Sequence, residues 1–224
     1  MSVLNNLHLE IIWTYRSALL DALFITLWLT AAASTAGIIL GVILAVSERI
    51  AGRPMVWLVT AYVETFRNTP LLIQLMWVHF ALPTLTGVPM TPSQSGLLTL
   101  TLSAGAYFTE IVRAGIAAVP RSQWEASEAI GLTKWLCFRL VVLPQALKIM
   151  IPPLVNMTVS VLKGTTIVSV LSIGEFLQVV NRISNYTFRT IEIFTFAALV
   201  YFAIGISLDL LARRLEKRLR HAER

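Results

Sequence analysis

Long apolar blocks dominate this sequence, and they constrain its fold more than any short motif does. Each block is about 20 residues or longer, the length that a helix needs to cross the hydrocarbon core of a bilayer. Of the 224 residues, 56% are hydrophobic and 13% are charged, whereas about a quarter of an ordinary soluble domain is charged. The sequence therefore predicts an all-α membrane protein.

The blocks predict five transmembrane helices, at residues 20–46, 56–82, 96–118, 140–162 and 193–212. In the first block, Gly37 and Gly41 form a GxxxG pair that would let another helix approach its backbone closely. Charged residues interrupt the first apolar stretch, so we expect no cleavable signal peptide. The single cysteine, Cys137, excludes an intramolecular disulfide and is interpreted as a small apolar filler.

Basic residues indicate the orientation, because cytoplasmic loops are enriched in Lys and Arg. They follow the first, third and fifth blocks, whereas residues 83–95 carry no charge. The segment 1–19 is therefore expected outside the cell, and the loop 119–139 and the basic tail 213–224 inside it, flanking one membrane domain at 20–212. The net charge of +6 reflects this bias and not nucleic-acid binding, because no basic face interleaved with aromatic residues exists. The tail can also attract anionic membrane lipid.

The loop after the third block has the features of a structured element. Pro120 ends the block, and Ser122 and Glu125 fit a capping box that begins a short helix. Gly131 permits the turn that ends this helix, and Thr133 can cap a second one. A capping box alone begins ordinary helices, so by itself it favours a purely structural role. Small residues would keep the first helix slim enough to enter a groove: Ala126, Ser127 and Ala129.

The spacing of this loop resembles the EAA loop of permease subunits of ATP-binding cassette (ABC) importers. The matching residues are Glu125-Ala126-Ser127, Gly131 and Val141, followed by Leu143-Pro144. Ser127 and Val141 depart from the family pattern, with side chains of similar bulk. Pro144 lies in the early turns of the fourth block, where we expect a bend. The resemblance implies that the following residues couple the membrane helices to an ATPase: Ser122, Glu125, Ala126, Ser127, Ala129, Gly131, Leu143 and Pro144.

Three other stretches are similar to the polar amino-acid uptake branch of that family. They are ETFRNTPLLI at 64–73, AYFTEIVRAGI at 106–116 and LPQALKIMIPPLVN at 143–156. The resemblance covers residues 20–212 and implies the type I ABC importer permease fold in a bacterial inner membrane. It further implies import of a polar amino acid.

The partners follow from the same resemblance. None of the eleven glycines is followed by Lys, so the chain lacks the Gly-Lys of a phosphate-binding Walker loop. ATP and Mg would therefore bind a separate cytoplasmic ATPase dimer, and this chain is expected to bind no cofactor and to be no enzyme. A second permease chain, identical or homologous, would complete the pathway. A binding protein outside the cell would deliver the cargo.

Ionisable residues at membrane depth are costly and therefore indicate function or local pairing. Glu64 and Arg67 lie three residues apart in the second block, and Glu110 and Arg113 repeat this spacing in the third. Each pair would share one helical face. A structural ion pair is the simpler interpretation of both, against a role of Glu110 and Arg113 in gating or binding.

The fourth block offers better candidates for a cargo path. Asn156, Ser160 and Lys163 share one helical face, and Thr165 and Thr166 follow them. A free amino acid needs a donor such as Lys for its carboxylate and oxygen acceptors for its ammonium, although polar side chains also join helices in membranes. Family members that handle basic amino acids often have carboxylates where this chain has Met157 and Gly164. An acidic or neutral cargo is therefore slightly favoured.

Two other classes of function remain as alternatives. A self-contained secondary transporter would show inverted repeats, and five helices give no such symmetry, although ETFR and TEIVR resemble each other faintly. An intramembrane enzyme would need a catalytic set, but His8, His79 and His221 are scattered, and HExxH and GxSxG motifs are absent. No metal site is expected.

Overall fold

The computed structural model describes residues 10–221, and every regular element in that part of the chain is helical. The all-α prediction is confirmed. Within residues 10–221, three helical runs are long and apolar enough to cross a membrane, namely Arg16–Ala51, Lys134–Leu171 and Thr190–Leu215. The α-helices are α1 Glu10–Thr14, α2 Arg16–Ala51, α3 Arg53–Asn68, α4 Leu71–Met76, α5 Leu82–Thr86, α6 Pro92–Ala117, α7 Arg121–Ala129, α8 Lys134–Cys137, α9 Leu143–Gly164, α10 Phe176–Thr187 and α11 Thr190–His221.

The GxxxG pair of the first block lies where α2 packs against α6. A Cβ atom at Gly41 would lie 2.7 Å from the backbone N of Thr109, and one at Gly37 would lie 3.1 Å from the Cβ of Ala104. Only glycine therefore allows this backbone approach. The prediction of a close helix contact at these residues is confirmed.

The second block does not form the single helix that was predicted. It breaks after Asn68, where Thr69 and Pro70 are extended with ψ of 140° and 134°, because a residue before proline is disfavoured in the helical region. Helix then resumes from Leu71 to Thr86 and includes a π-helical turn at Trp77–Ala81. The Gln74 amide nitrogen donates to the carbonyls of Phe66 at 2.8 Å and Thr69 at 2.9 Å. Gln74 thereby satisfies carbonyls that the break leaves without helical partners.

Helix α6 contains the third predicted block and lies at the centre of the bundle. It begins with a capping box, in which Thr91 and Gln94 exchange side-chain and backbone hydrogen bonds. Its neighbours are α2, α3, α4 and α9, and its buried side chains include the fully enclosed Phe108. Its buried residues also include small and hydroxyl-bearing ones: Ser95, Gly96, Thr99, Gly105, Thr109 and Gly115.

The fourth and fifth blocks extend further than predicted. The fourth helical run begins at Lys134 and reaches Leu171, ending in a 3₁₀ segment, and the fifth runs to His221. Near Pro144 a π-helical turn at Phe138–Val142 precedes α9, as expected where proline removes a backbone donor. Between the two runs lies the amphipathic helix α10, which was not predicted. Cys137 is a buried core residue, as interpreted.

Candidate functional site

The first candidate element is the pair of short helices α7 and α8 between α6 and α9. The capping box predicted at Ser122 and Glu125 is wrong, because α7 begins two residues earlier than that box requires, with the extended Pro120 as its N-cap residue. Ser122 consequently lies inside the first turn and makes no cap. The Glu125 carboxylate instead accepts from Arg121 Nε at 3.1 Å, in an exposed pair.

The end of α7 follows the prediction closely. Gly131 has a φ of +80° and donates its N–H to the Glu128 carbonyl at 3.0 Å, while Leu132 donates to the Ser127 carbonyl at 3.1 Å. These are the two hydrogen bonds of a Schellman motif, which needs a left-handed residue that only glycine adopts without strain. Thr133 then caps α8 by accepting from the Leu136 N–H at 3.4 Å. Both predictions are confirmed.

The two faces of this helix pair differ in exposure. Ser127 is 3% exposed and donates to the Gln123 carbonyl at 2.7 Å, so its side chain lies on the face of α7 that packs against the rest of the protein. The outer face carries two apolar side chains that the sequence analysis missed, Ile130 at 76% and Trp135 at 65% exposed. Neither residue belongs to a periodic apolar pattern, so no sequence signal indicated this apolar surface. The other predicted coupling residues are exposed except for the half-buried Leu143: Ser122, Glu125, Ala126, Ala129, Gly131 and Pro144.

The membrane-depth charges form one network across three helices. Arg113 Nε donates to Glu48 Oε2 at 2.7 Å, and its NH1 lies 3.3 Å from Glu110. Arg67 reaches the same Glu110 carboxylate at 3.6 Å. The predicted pair of Glu64 and Arg67 is therefore wrong, since Glu64 instead accepts from the Asn68 amide at 2.7 Å. These contacts join α2, α3 and α6 and favour the structural interpretation of Glu110 and Arg113.

The second candidate element, here called the cargo groove, lies between α9 and α11. It has a volume of about 430 Å³, and Lys163 and Thr166 of the predicted cargo path line it. Within the described residues, the Lys163 ammonium makes no hydrogen bond or ion pair, and its side chain is exposed. The groove is completed by Val159, Leu162, Tyr201, Phe202, Gly205, Ile206 and Asp209.

The other predicted cargo-path residues lie outside the groove lining. Asn156 and Ser160 are exposed on α9, where Ser160 donates to the Asn156 carbonyl at 3.2 Å. Thr165 is fully buried and donates to the Leu162 carbonyl at 2.7 Å. Glu110 and Arg113 belong to the charge network instead. The structure thus brings together only Lys163 and Thr166 of the predicted set.

Asp209 is a groove residue that the sequence analysis did not single out. Its carboxylate accepts from Arg213 Nε at 2.9 Å, so part of its charge is already compensated. Only the packing of α9 against α11 brings this carboxylate into the same groove as Lys163.

Glu175 is a second charged residue that the sequence analysis missed. It is fully buried and is the N-cap residue of α10, where its carboxylate accepts from the N–H groups of Leu177 at 3.0 Å and Gln178 at 2.6 Å. A sequence signal for this helix cap did exist, because an acidic residue stands directly before an amphipathic stretch.

The sequence and fold of the chain were compared with those of known proteins. A family described as the inner membrane component of binding-protein-dependent transport systems matches residues 37–221. The chain belongs to that family. This permease is accordingly a transport subunit of the bacterial inner membrane and not an enzyme, and membership favours an ABC importer over a self-contained secondary transporter.

Individual relatives cover nearly the whole permease. It is 34% identical over 207 residues to the glutamate/aspartate import permease protein GltK of Escherichia coli O157:H7, covering 89% of this chain and 92% of that protein. It is 32% identical over 202 residues to the arginine transport system permease protein ArtQ of Bacillus subtilis, covering 90% and 92%. It is 30% identical over 210 residues to the glutamine transport system permease protein GlnP of Escherichia coli K12, covering 93% and 96%.

Solved structures give the same result for the fold. The permease superposes on a chain of an amino acid ABC transporter crystallised with histidines with a TM-score of 0.89, at 30% identity, covering 97% of this chain and 100% of the other. The inward-facing MetNI methionine ABC transporter gives a TM-score of 0.71 at 21% identity, covering 90% and 98%. The second likeness concerns the fold alone.

Proposed function

We propose that this permease forms part of the membrane path of an ABC importer for a polar amino acid. The observation that carries the proposal is the Lys163 ammonium, which has no partner among the described residues and lines the cargo groove. A cation of this kind suits the carboxylate that every free amino acid carries. Relatives that import glutamate or aspartate, arginine and glutamine support the cargo class.

The groove favours an acidic or neutral cargo over a basic one. Met157 and Gly164 supply no carboxylate beside Lys163, and the Asp209 carboxylate is compensated by Arg213. A second positive charge on the cargo would therefore lie near Lys163 without an adequate counter-charge.

The proposed topology has five crossings, with the segment 1–19 outside the cell and the C-terminus inside. The crossings are α2, the broken run from α3 to α5, α6, the run from α8 to Leu171, and α11. Support comes from the basic residues after α2, after α6 and at the end of α11, which this arrangement gathers on the cytoplasmic side. The membrane domain then covers residues 20–212, the coupling loop 119–139 and the basic tail 213–224.

Helices α7 and α8 are proposed to dock on a cytoplasmic ATPase dimer that holds ATP and Mg. The exposed apolar side chains of Ile130 and Trp135 are of the kind that becomes buried at the centre of a protein interface, where aromatic anchors dominate the binding energy.

A second permease chain, identical or homologous, would cover the exposed apolar face of α11 around Phe202. The binding protein that the family description names would deliver cargo from outside.

Reconstitution in proteoliposomes tests the proposal. The permease, purified with its ATPase, is expected to accumulate labelled glutamate or glutamine faster than labelled arginine when ATP and the binding protein are present. Omission of the ATPase should abolish uptake in the same vesicles. Uptake that continues without the ATPase would contradict the ABC importer mechanism, and uptake of arginine alone would contradict the proposed cargo preference.

A further inference from the structure

Glu175 lies where α2, α10 and α11 meet, and the proposed mechanism has not used it. It is fully buried, and an ionised carboxylate in such a place is costly unless every oxygen accepts hydrogen bonds. Two backbone N–H groups at the start of α10 satisfy part of this need. The remaining contacts come from side chains of other helices.

Those contacts converge on Tyr201 of α11. The Tyr201 hydroxyl donates to Glu175 Oε2 at 3.4 Å, and the Thr26 hydroxyl of α2 donates to the same oxygen at 3.5 Å. Thr26 of α2 in turn accepts from the Phe176 N–H at 2.9 Å. The Tyr201 ring packs edge-on against Phe176, with ring centroids 5.6 Å apart. Hydroxyl and ring are therefore both fixed by the N-terminal turn of α10.

Tyr201 also lines the cargo groove beside Lys163 and Thr166. Its hydroxyl donates to the buried Glu175 carboxylate. Glu175 is therefore linked through Tyr201 of α11 to the lining of the groove.

We infer that Glu175 is a positioning residue for cargo binding, which sets the place of the Tyr201 ring in the groove wall without touching the cargo. This inference rests on the proposed function, because it concerns the affinity of the same groove. A helix cap alone would require only the two N–H contacts. The additional contact of Tyr201 distinguishes a positioning role, because it ties the carboxylate to a groove residue in a different helix.

The substitutions Glu175→Gln and Tyr201→Phe test the inference. Glu175→Gln keeps the side-chain shape but replaces one carboxylate oxygen by an NH₂ donor, so the single amide oxygen cannot accept from the α10 N–H groups and from Tyr201 together. Tyr201→Phe keeps the ring but removes the hydroxyl. Loss of one such hydrogen bond is expected to raise the dissociation constant for labelled cargo by about three- to tenfold. The double variant should bind no more weakly than the weaker single variant, because both changes break one linkage.

The measurement is equilibrium binding of labelled glutamate and glutamine to the purified complex of permease and ATPase, with the maximal ATPase rate recorded in parallel. A positioning role raises the dissociation constant and leaves the maximal rate unchanged. The matched control is Ser184→Ala, which removes a hydrogen bond that the buried Ser184 of α10 donates to Thr190 at 3.0 Å, at a residue that does not line the groove. Its dissociation constant should equal that of the unaltered protein.

Four outcomes would overturn the inference. Unchanged cargo affinity in Tyr201→Phe would do so even if Glu175→Gln failed to fold. Additive effects in the double variant, or an equal loss of affinity in Ser184→Ala, would reduce Glu175 to a structural residue while leaving the proposed function intact. Absence of cargo binding and uptake in the unaltered complex would overturn the proposed function itself, and this inference with it.

Discussion

Arg113 of α6 donates two hydrogen bonds to the carboxylate of Glu48 near the end of α2, one of them from Nε at 2.7 Å. The side chain of Glu48 is only 9% exposed, so it cannot exchange this partner for water. The same guanidinium contacts Glu110, and Arg67 extends the network to α3. This pair fixes the relative position of the two helices that form the centre of the bundle.

Replacement of Arg113 by Met should therefore destabilise the fold. It leaves Glu48 buried without a counter-charge, and we expect the free energy of unfolding to fall by about 2–3 kcal/mol, since removing one partner of a buried ion pair is strongly destabilising. Thermal unfolding of the detergent-solubilised complex measures the effect. The control is Arg121→Ala, which breaks the exposed pair with Glu125 and should change stability little. Equal effects of the two substitutions would contradict a structural role of Arg113.

Gly41→Val should separate α2 from α6. The new Cβ would lie 2.7 Å from the backbone N of Thr109, and backbone cannot yield as a flexible side chain can. We expect a loss of about 1–3 kcal/mol in the free energy of unfolding, as for other overpacked cores. Gly174→Ala serves as the control in the same unfolding experiment, because a Cβ there meets no atom within 4 Å. A stable Gly41→Val variant would show that the helices can repack.

Ile130→Asp should uncouple the permease from its ATPase without unfolding it. Ile130 is largely exposed and contributes little to the core, so its removal should cost little stability, while a buried charge at the proposed interface would be severely unfavourable. Co-purification of the ATPase and ATP-driven uptake should both fall at least about tenfold. The control is Leu85→Asp, at a similarly exposed residue of α5 that lies on the opposite side of the membrane in the proposed topology. Retention of the ATPase by Ile130→Asp would mean that α7 and α8 dock elsewhere.

Lys163→Met should reduce cargo affinity while preserving assembly. The substitution keeps the length of the side chain and removes the one groove cation that has no partner among the described residues. Loss of a charge-assisted hydrogen bond predicts a rise of about tenfold or more in the dissociation constant for labelled glutamate. Ser207→Ala on α11 is the control, because this hydroxyl donates to the Ala203 carbonyl and does not line the groove. If both variants bind glutamate like the unaltered complex, Lys163 is no part of the path.

Short-range chemistry explains which features could be predicted. Gly131 and Thr133 were assigned correctly because a left-handed turn and a helix cap depend on the residues themselves and their immediate neighbours. Gly37 and Gly41 likewise predicted a close helix contact, although not its partner α6. The break at Thr69 and Pro70 carried a local signal as well, but the unbroken apolar composition on both sides of it outweighed that signal.

The sequence by itself determined that this chain is a helical membrane protein with a structured loop, because apolar length, glycine spacing and turn chemistry are properties of contiguous residues. Tertiary structure alone decided that Arg67 pairs with Glu110 and not with Glu64, and that Glu175 is linked through Tyr201 to the groove that contains Lys163. Such partners are separated by tens of residues. Their interaction depends on how the helices pack, since electrostatic and hydrogen-bond energies are set by distances in space and not by spacing along the chain.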